Sequence, residues 1–191
     1  STSTGGKLAF DINKDASEKL MEKIERSREN MAEHSKAVPD KAAEICGFKA
    51  PGEEVNSVFR GRYQRDGYVV EMYALQGEGD YIIPLLLFVP NEGDNFSSAI
   101  YLHPEGKIAD ASPGGRIEQL VKKGVVVAAP DMIGTGEVGE MGSENYEALM
   151  IGRSIAGIQA GDVIRVADFL KDRSDVDPDK IGAVAFAEIC P

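Results

Sequence analysis

The 191 residues predict an α/β fold: a mixed sheet in which antiparallel hairpins precede a βαβαβ run, behind an N-terminal helical extension. Three observations carry this. Arg65-Asp66-Gly67 separates two strand-like runs, a strong hairpin signal. Val125-Val-Val-Ala-Ala129 is apolar without polar alternation, as a strand buried on both faces of a parallel sheet must be. From Ser98 to Phe186 strand-like and helix-like segments alternate.

In chain order, Ala16, Leu20, Ile24 and Met31 form one stripe among charged residues, which predicts a helix over about Asp15 to Ser35. Val38-Pro39-Asp40 is expected to break it, and a second short helix through Ala42, Ala43 and Ile45 to stop at Gly47. The charge alternation reads as a solvated face, and His34 as a surface residue. Strands follow over Val58 to Gln64 and Tyr68 to Leu75. A third, Tyr81 to Val89, carries Pro84 and is therefore expected at an edge or a bulge. Ser98 to His103 is the first parallel strand, Arg116 to Lys123 a short helix, and Val125 to Ala129 the next strand. One long helix from Ser143 or Glu144, with the stripe Ile151, Ile155, Ile158, Val166, Phe169 and Leu170, leads to a last strand, Ile181 to Phe186. The expected domains are a helical extension, 1–50, and a sheet domain, 51–191.

Composition narrows the function. With 21 Lys plus Arg against 32 Asp plus Glu, the net charge of −11 repels phosphate backbones and anionic headgroups, so neither nucleic acid nor a membrane surface is an expected partner. The apolar runs are too short to span a bilayer, which takes roughly 20 residues. Two cysteines, Cys46 and Cys190, make no framework, although the pair is able to close. No secretory leader is visible, and Ser1 to Gly6 reads as a trimmed or added end, which leaves the compartment open.

Binding and catalytic groups of such a sheet are expected in loops at the carboxyl ends of the parallel strands. Those loops are His103-Pro-Glu105-Gly106-Lys107, Asp131-Met-Ile-Gly-Thr-Gly-Glu137 and Ala187-Glu188-Ile-Cys-Pro191. With the order of elements, they resemble the α/β-hydrolase superfamily, most closely its acetyl xylan esterase and prolyl-oligopeptidase-like branches. The resemblance runs from about Tyr68 to the C-terminus. Ile83 to Pro90 looks like the family's antiparallel strand before the parallel sheet. Tyr101-Leu-His103-Pro-Glu-Gly106 matches the strand and loop that supply an oxyanion-hole amide, and Val126 to Glu137 is similar to the strand entering a D-x-x-G-x-G-E turn. Ile181 to Phe186 stands where the strand before the nucleophile elbow belongs.

The resemblance implies a G-x-S-x-G elbow, followed by an acid and then a His. The aligned residues are Ala185-Phe186-Ala187-Glu188-Ile189, so Ala187 holds the nucleophile position without a nucleophile, and Cys190 lies three places late. The acid and the base would lie beyond Pro191. The chain is therefore expected to be the N-terminal part of a larger hydrolase-like product, or to have Ile181 to Phe186 covered by a partner, including a second copy. The implied cleft residues are His103, as an orienting group, Asp131 and Glu188, with the amide of Glu105 or Gly106 facing a substrate oxygen. The implied ligand is a small-molecule ester or carbohydrate, with no cofactor and no metal. Secreted or periplasmic location follows from the resemblance alone. Two functions follow: an esterase-type hydrolase of which this chain is one portion, inactive as it stands, or a hydrolase fold retained as a binding or assembly module.

Three further motifs read as decoys. Gly134-Thr-Gly136-Glu-Val-Gly139 is a literal G-x-G-x-x-G, but Pro130 to Ile133 separate it from its strand, and Glu137 and Glu140 oppose phosphate. Gly152-Arg-Ser154-Ile-Ala156 mimics an elbow inside a predicted helix. Asp131, Glu137 and Glu140 have no ordered ligand spacing for a cation.

Overall fold

The computed structural model describes residues 5–52, 54–79, 81–139 and 144–186, with Glu144 and Asn145 described by backbone alone. The chain divides into two compact units, Ser1–Ile45 and Cys46–Pro191. Cys46 to Ala50, which the sequence places with the extension, belong to the second unit. The Cys46 carbonyl accepts from the Ser154 amide at 3.0 Å and from Ser154 Oγ at 3.1 Å.

The first unit is a pair of helices, α1 (Ala9–Arg28) and α2 (Met31–Ile45). The break falls at residues 29–30 rather than at Pro39, which sits inside α2. Asn30 explains the shift. Its Oδ1 accepts from the Glu33 amide at 3.4 Å while its Nδ2 donates to Glu33 Oε2 at 2.9 Å, and its carbonyl accepts the His34 amide at 2.9 Å, so its side chain satisfies one first-turn amide and a helix begins here. Pro39 removes only one intrahelical donor. His34 is half-buried, with Nδ1 2.8 Å from Ser27 Oγ.

The second unit is built on a six-stranded mixed sheet: β1 (Ser57–Arg65), β2 (Tyr68–Gln76), β3 (Ile82–Pro90), β4 (Phe96–Leu102), β5 (Val125–Pro130) and β6 (Val176–Ala185), in the order β1-β2-β3-β5-β4-β6. β1, β2, β3 and β5 pair antiparallel in succession, and β4 pairs parallel with both β5 and β6. The Asp66-Gly67 turn is closed by the Arg65–Tyr68 pair, as predicted.

β3 is not an edge strand. Pro84 pairs with Ala74 of β2, and its carbonyl accepts the Asp131 amide at 2.8 Å, just past the end of β5. In an antiparallel strand a residue's N and O face the same neighbour, so the proline forgoes only the reciprocal bond to the Asp131 carbonyl, at the very end of the β3–β5 ladder.

From β4 the chain reaches β5 through α3 (Arg116–Val121) and then β6 through α4 (Glu144–Met150) and α5 (Ile155–Lys171). α3 and α5 cover opposite faces. Ile117 and Val121 of α3 pack with Val70, Phe88, Val127 and Ala129, while Val166, Phe169 and Leu170 of α5 pack with Leu75, Leu85, Leu87, Val126 and Ala128. Successive β5 residues thus face alternate cores, the reason its sequence shows no polar alternation.

The single long helix expected here is two. The chain turns at residues 151–154, and Ser154 becomes the N-cap of α5, its Oγ accepting from the Gly157 amide at 3.0 Å. Among the described residues β6 pairs with β4 alone, and Gly182, Ala183 and Ala185 are exposed.

Asp162 of α5 is fully buried. Its Oδ1 accepts from Tyr81 Oη at 2.6 Å and lies 3.4 Å from an Arg165 nitrogen, whereas Oδ2 has no partner among the described residues. Burial raises its carboxyl to about 6, against the opposing pull of Tyr81 and Arg165. The native state then holds a proton that an unfolded carboxyl near the ordinary value of about 3.9 would release. This contribution is present below about pH 4 and is lost as pH rises through about 6. Asp162→Asn should therefore flatten the pH dependence of stability by roughly 1–3 kcal/mol between pH 4 and 7, measured by denaturant melts of both proteins across that range.

Candidate functional site

Because β4, β5 and β6 run parallel, their carboxyl ends share one edge of the sheet. His103 follows β4, Asp131 follows β5 and Phe186 follows β6. His103 and Asp131 are two of the positions toward which the sequence analysis points, and Phe186 is the last residue before the third. Ala187, Glu188, Glu140 and Cys190 lie outside the described residues.

Asp131 is 1% exposed, and its carboxylate is enclosed by protein donors. Oδ1 accepts the Lys107 amide at 2.6 Å; Oδ2 accepts the Glu137 amide at 3.0 Å and pairs with Lys107 Nζ. Lys107, 7% exposed, also pairs with Glu137 Oε1 at 2.8 Å. Two glycines allow this. Gly106 and Gly136 adopt φ of +78° and +50°, and a Cβ on either would run into the Asp131 carboxylate. Asp131 is thus a buried tie between the two loops, not an open cleft group. The acidic set Asp131 and Glu137 is drawn onto Lys107. The G-x-G-x-x-G segment makes a 3-10 turn, Gly136–Val138, whose Glu137 amide is held by Asp131.

The β4 loop folds back on itself. His103 Nδ1 accepts the Glu105 amide at 3.2 Å, the His103 carbonyl accepts the Gly106 amide at 2.9 Å, and the Lys107 amide goes to Asp131. The two amides expected to face a substrate oxygen, those of Glu105 and Gly106, are therefore both engaged inside the loop. The sequence could not show this, because it depends on the His103 ring turning over its own backbone.

Around His103 the structure assembles an aromatic cluster that sequence reasoning missed. The Phe186 ring lies 5.3 Å from that of His103 and 5.2 Å from that of Tyr101, with the Arg116 guanidinium 5.0 Å from its centroid. Tyr101 Oη donates to Asp110 Oδ2 at 2.5 Å. Burial, with the Asp110 carboxylate, pushes the phenol up to about 12. The signal was present in the spacing: His103, just past the end of β4, is two residues from Tyr101 near that end, and β6 lies alongside.

No family model and no curated protein matches the sequence. Solved structures do. A Bacteroides fragilis protein assigned as an acetyl xylan esterase superposes with a TM-score of 0.67 at 19% identity, over 85% of this chain and 48% of that one. The fold is esterase-like. An acetyl xylan esterase from Paenibacillus sp. R4 matches at a TM-score of 0.56 and 18% identity, over 76% and 49% of the two chains. A glucuronoyl esterase from Solibacter usitatus matches at 0.53 and 14%, over 72% and 47%. The chain spans about half the length of these structures.

The Asp131 tie carries a measurable consequence. Removing one partner of a buried ion pair strands the other, so Asp131→Ala should cost about 3–5 kcal/mol, whereas Glu137→Gln, at an exposed side chain, should cost under about 1 kcal/mol. Guanidinium unfolding of the two variants decides the matter, since near-equal midpoints would remove Asp131 from its role.

Proposed function

We propose that this chain is the N-terminal portion of an esterase-type α/β hydrolase acting on a small acyl ester such as an acetylated carbohydrate. One observation carries the reading. The strand order brings His103, the Asp131 turn and Phe186 to one edge of an esterase-like sheet, over about half the length of the solved esterases it resembles. Exposure along β6, which has one strand neighbour among the described residues, supports further chain or a partner, including a second copy, packing there.

The described residues provide a wall of the cleft and its loop scaffold. At the carboxyl-end edge of the sheet they offer no nucleophile paired with a base: Ser154 is engaged as a helix cap, and His103 makes no hydrogen bond to a hydroxyl or thiol among the described residues. With Ala187 at the elbow position in the sequence, the chain alone is proposed to be inactive. The second reading, a hydrolase fold kept as a binding module, draws on that same alanine.

Sequencing the encoding DNA past the codon for Pro191 separates the two. The esterase reading expects the frame to continue for a similar length, with an Asp and then a His, and the whole product to hydrolyse nitrophenyl acetate above a heat-killed control. A stop codon at once after Pro191, with no hydrolysis by the chain, would favour the binding module.

A further inference from the structure

We propose that the Nε2–H of His103, not a backbone amide, is the hydrogen-bond donor that the β4 loop presents to the oxygen of an acyl group. This rests on the esterase reading of the same cleft and adds to it the chemical role of one ring nitrogen.

The argument begins with the loop's own donors. The amides of Glu105, Gly106 and Lys107 all donate within the protein, to His103 Nδ1, the His103 carbonyl and Asp131 Oδ1. No amide of residues 105–107 remains free for a ligand. The first of these bonds then determines the ring's tautomer. A backbone N–H only donates, so the Nδ1 it reaches carries no proton, and a neutral imidazole whose Nδ1 is bare carries its proton on Nε2.

That Nε2–H has no partner among the described residues, on a ring that is half-buried at the carboxyl end of β4. The ring is held from two sides. Phe186 packs 5.3 Å away, and the loop amide fixes the rotation about the ring axis. A donor held in place by its surroundings, beside the strand end where ligands of such sheets sit, suits an oxygen that gains negative charge. The same tautomer removes His103 as a general base, since Nδ1 is occupied and Nε2 is protonated.

The test uses the 191-residue chain, which contains only two histidines, so a His34→Gln background leaves His103 as the sole imidazole. Long-range proton–nitrogen NMR should show bare Nδ1 and protonated Nε2. Titration with sodium acetate, the simplest acyl-oxygen probe, should then perturb Nε2 saturably. His103→Asn retains an acceptor for the Glu105 amide but lacks the distal donor; it should weaken acetate binding about tenfold, the loss of one hydrogen bond worth roughly 1.4 kcal/mol, with little change in melting temperature. His103→Gln, whose amide reaches the Nε2 position, should recover part of the affinity. A proton found on Nδ1, which needs no variant to observe, overturns the proposal. So does the absence of saturable acetate binding, or binding unchanged in His103→Asn. If the reading frame stops at Pro191 while the tautomer and the acetate results hold, the esterase reading fails and the donor role stands.

Discussion

The carboxylate of Asp131 is the point on which the edge formed by the carboxyl ends of β4, β5 and β6 depends. It follows directly from β5, and its own amide is tied to the carbonyl of Pro84 on β3. From there its two oxygens gather the amides of Lys107 and Glu137 and the Lys107 ammonium. Lys107 belongs to the loop after β4 and Glu137 to the loop after β5, so one buried anion sets the separation of the two loops. Charge burial of this kind is tolerable only when the anion is fully surrounded by donors, which is why both approaching backbones carry glycine at Gly106 and Gly136. The pair lies out of water, so salt should weaken it far less than it weakens the surface pairs of α1 and α2.

A second constraint comes from covering the sheet on both faces. α3 and α5 take opposite sides, so β5 must be apolar throughout and β4 nearly so, whereas β1, at the far edge, keeps mostly exposed positions. The polar atoms enclosed by this arrangement are largely tied down. Two of those without a partner, Asp162 Oδ2 and Arg153 Nε, belong to the residues that fasten α5 and its approach to Tyr81 and Glu78. An Asp at this position gives α5 a bond to Tyr81 while its second oxygen finds no donor among the described residues, and burial of the carboxyl raises its pKa against the pull of Tyr81 and Arg165.

Much of this was legible in the sequence, and the misses share a cause. The hairpin at Asp66-Gly67 and the strand Val125 to Ala129 were readable because each rests on local chemistry: a turn that needs glycine, and a strand buried on both sides. Hydrophobic periodicity misplaced the helix boundaries because it is blind to capping. The stripe running through Ile151 hid the Ser154 cap, and Pro39 drew attention from the Asn30–Glu33 side-chain contacts at the start of α2. At the site, Asp131 was found by position and misjudged in role. Its partner Lys107 lies 24 residues away, and only folding shows that a lysine in one loop is enclosed by another.

On the esterase reading proposed above, these features define what this part of the fold would contribute to the reaction. A nucleophile and its base must meet within hydrogen-bond reach, yet the described residues at this edge are an aromatic platform, a buried tie and an imidazole whose tautomer is set by its own backbone. None of these generates a nucleophile, and all of them hold geometry. The loop amides that might have polarised an acyl oxygen are instead used to make the loop rigid. The histidine that rigidifies it keeps, on the proposed tautomer, one donor not used within the described residues, the Nε2 proton. A rigid loop bearing one oriented donor lowers the reorganisation needed when charge develops on a bound oxygen, and that benefit arises whether the attacking group comes from later in the same chain or from a partner.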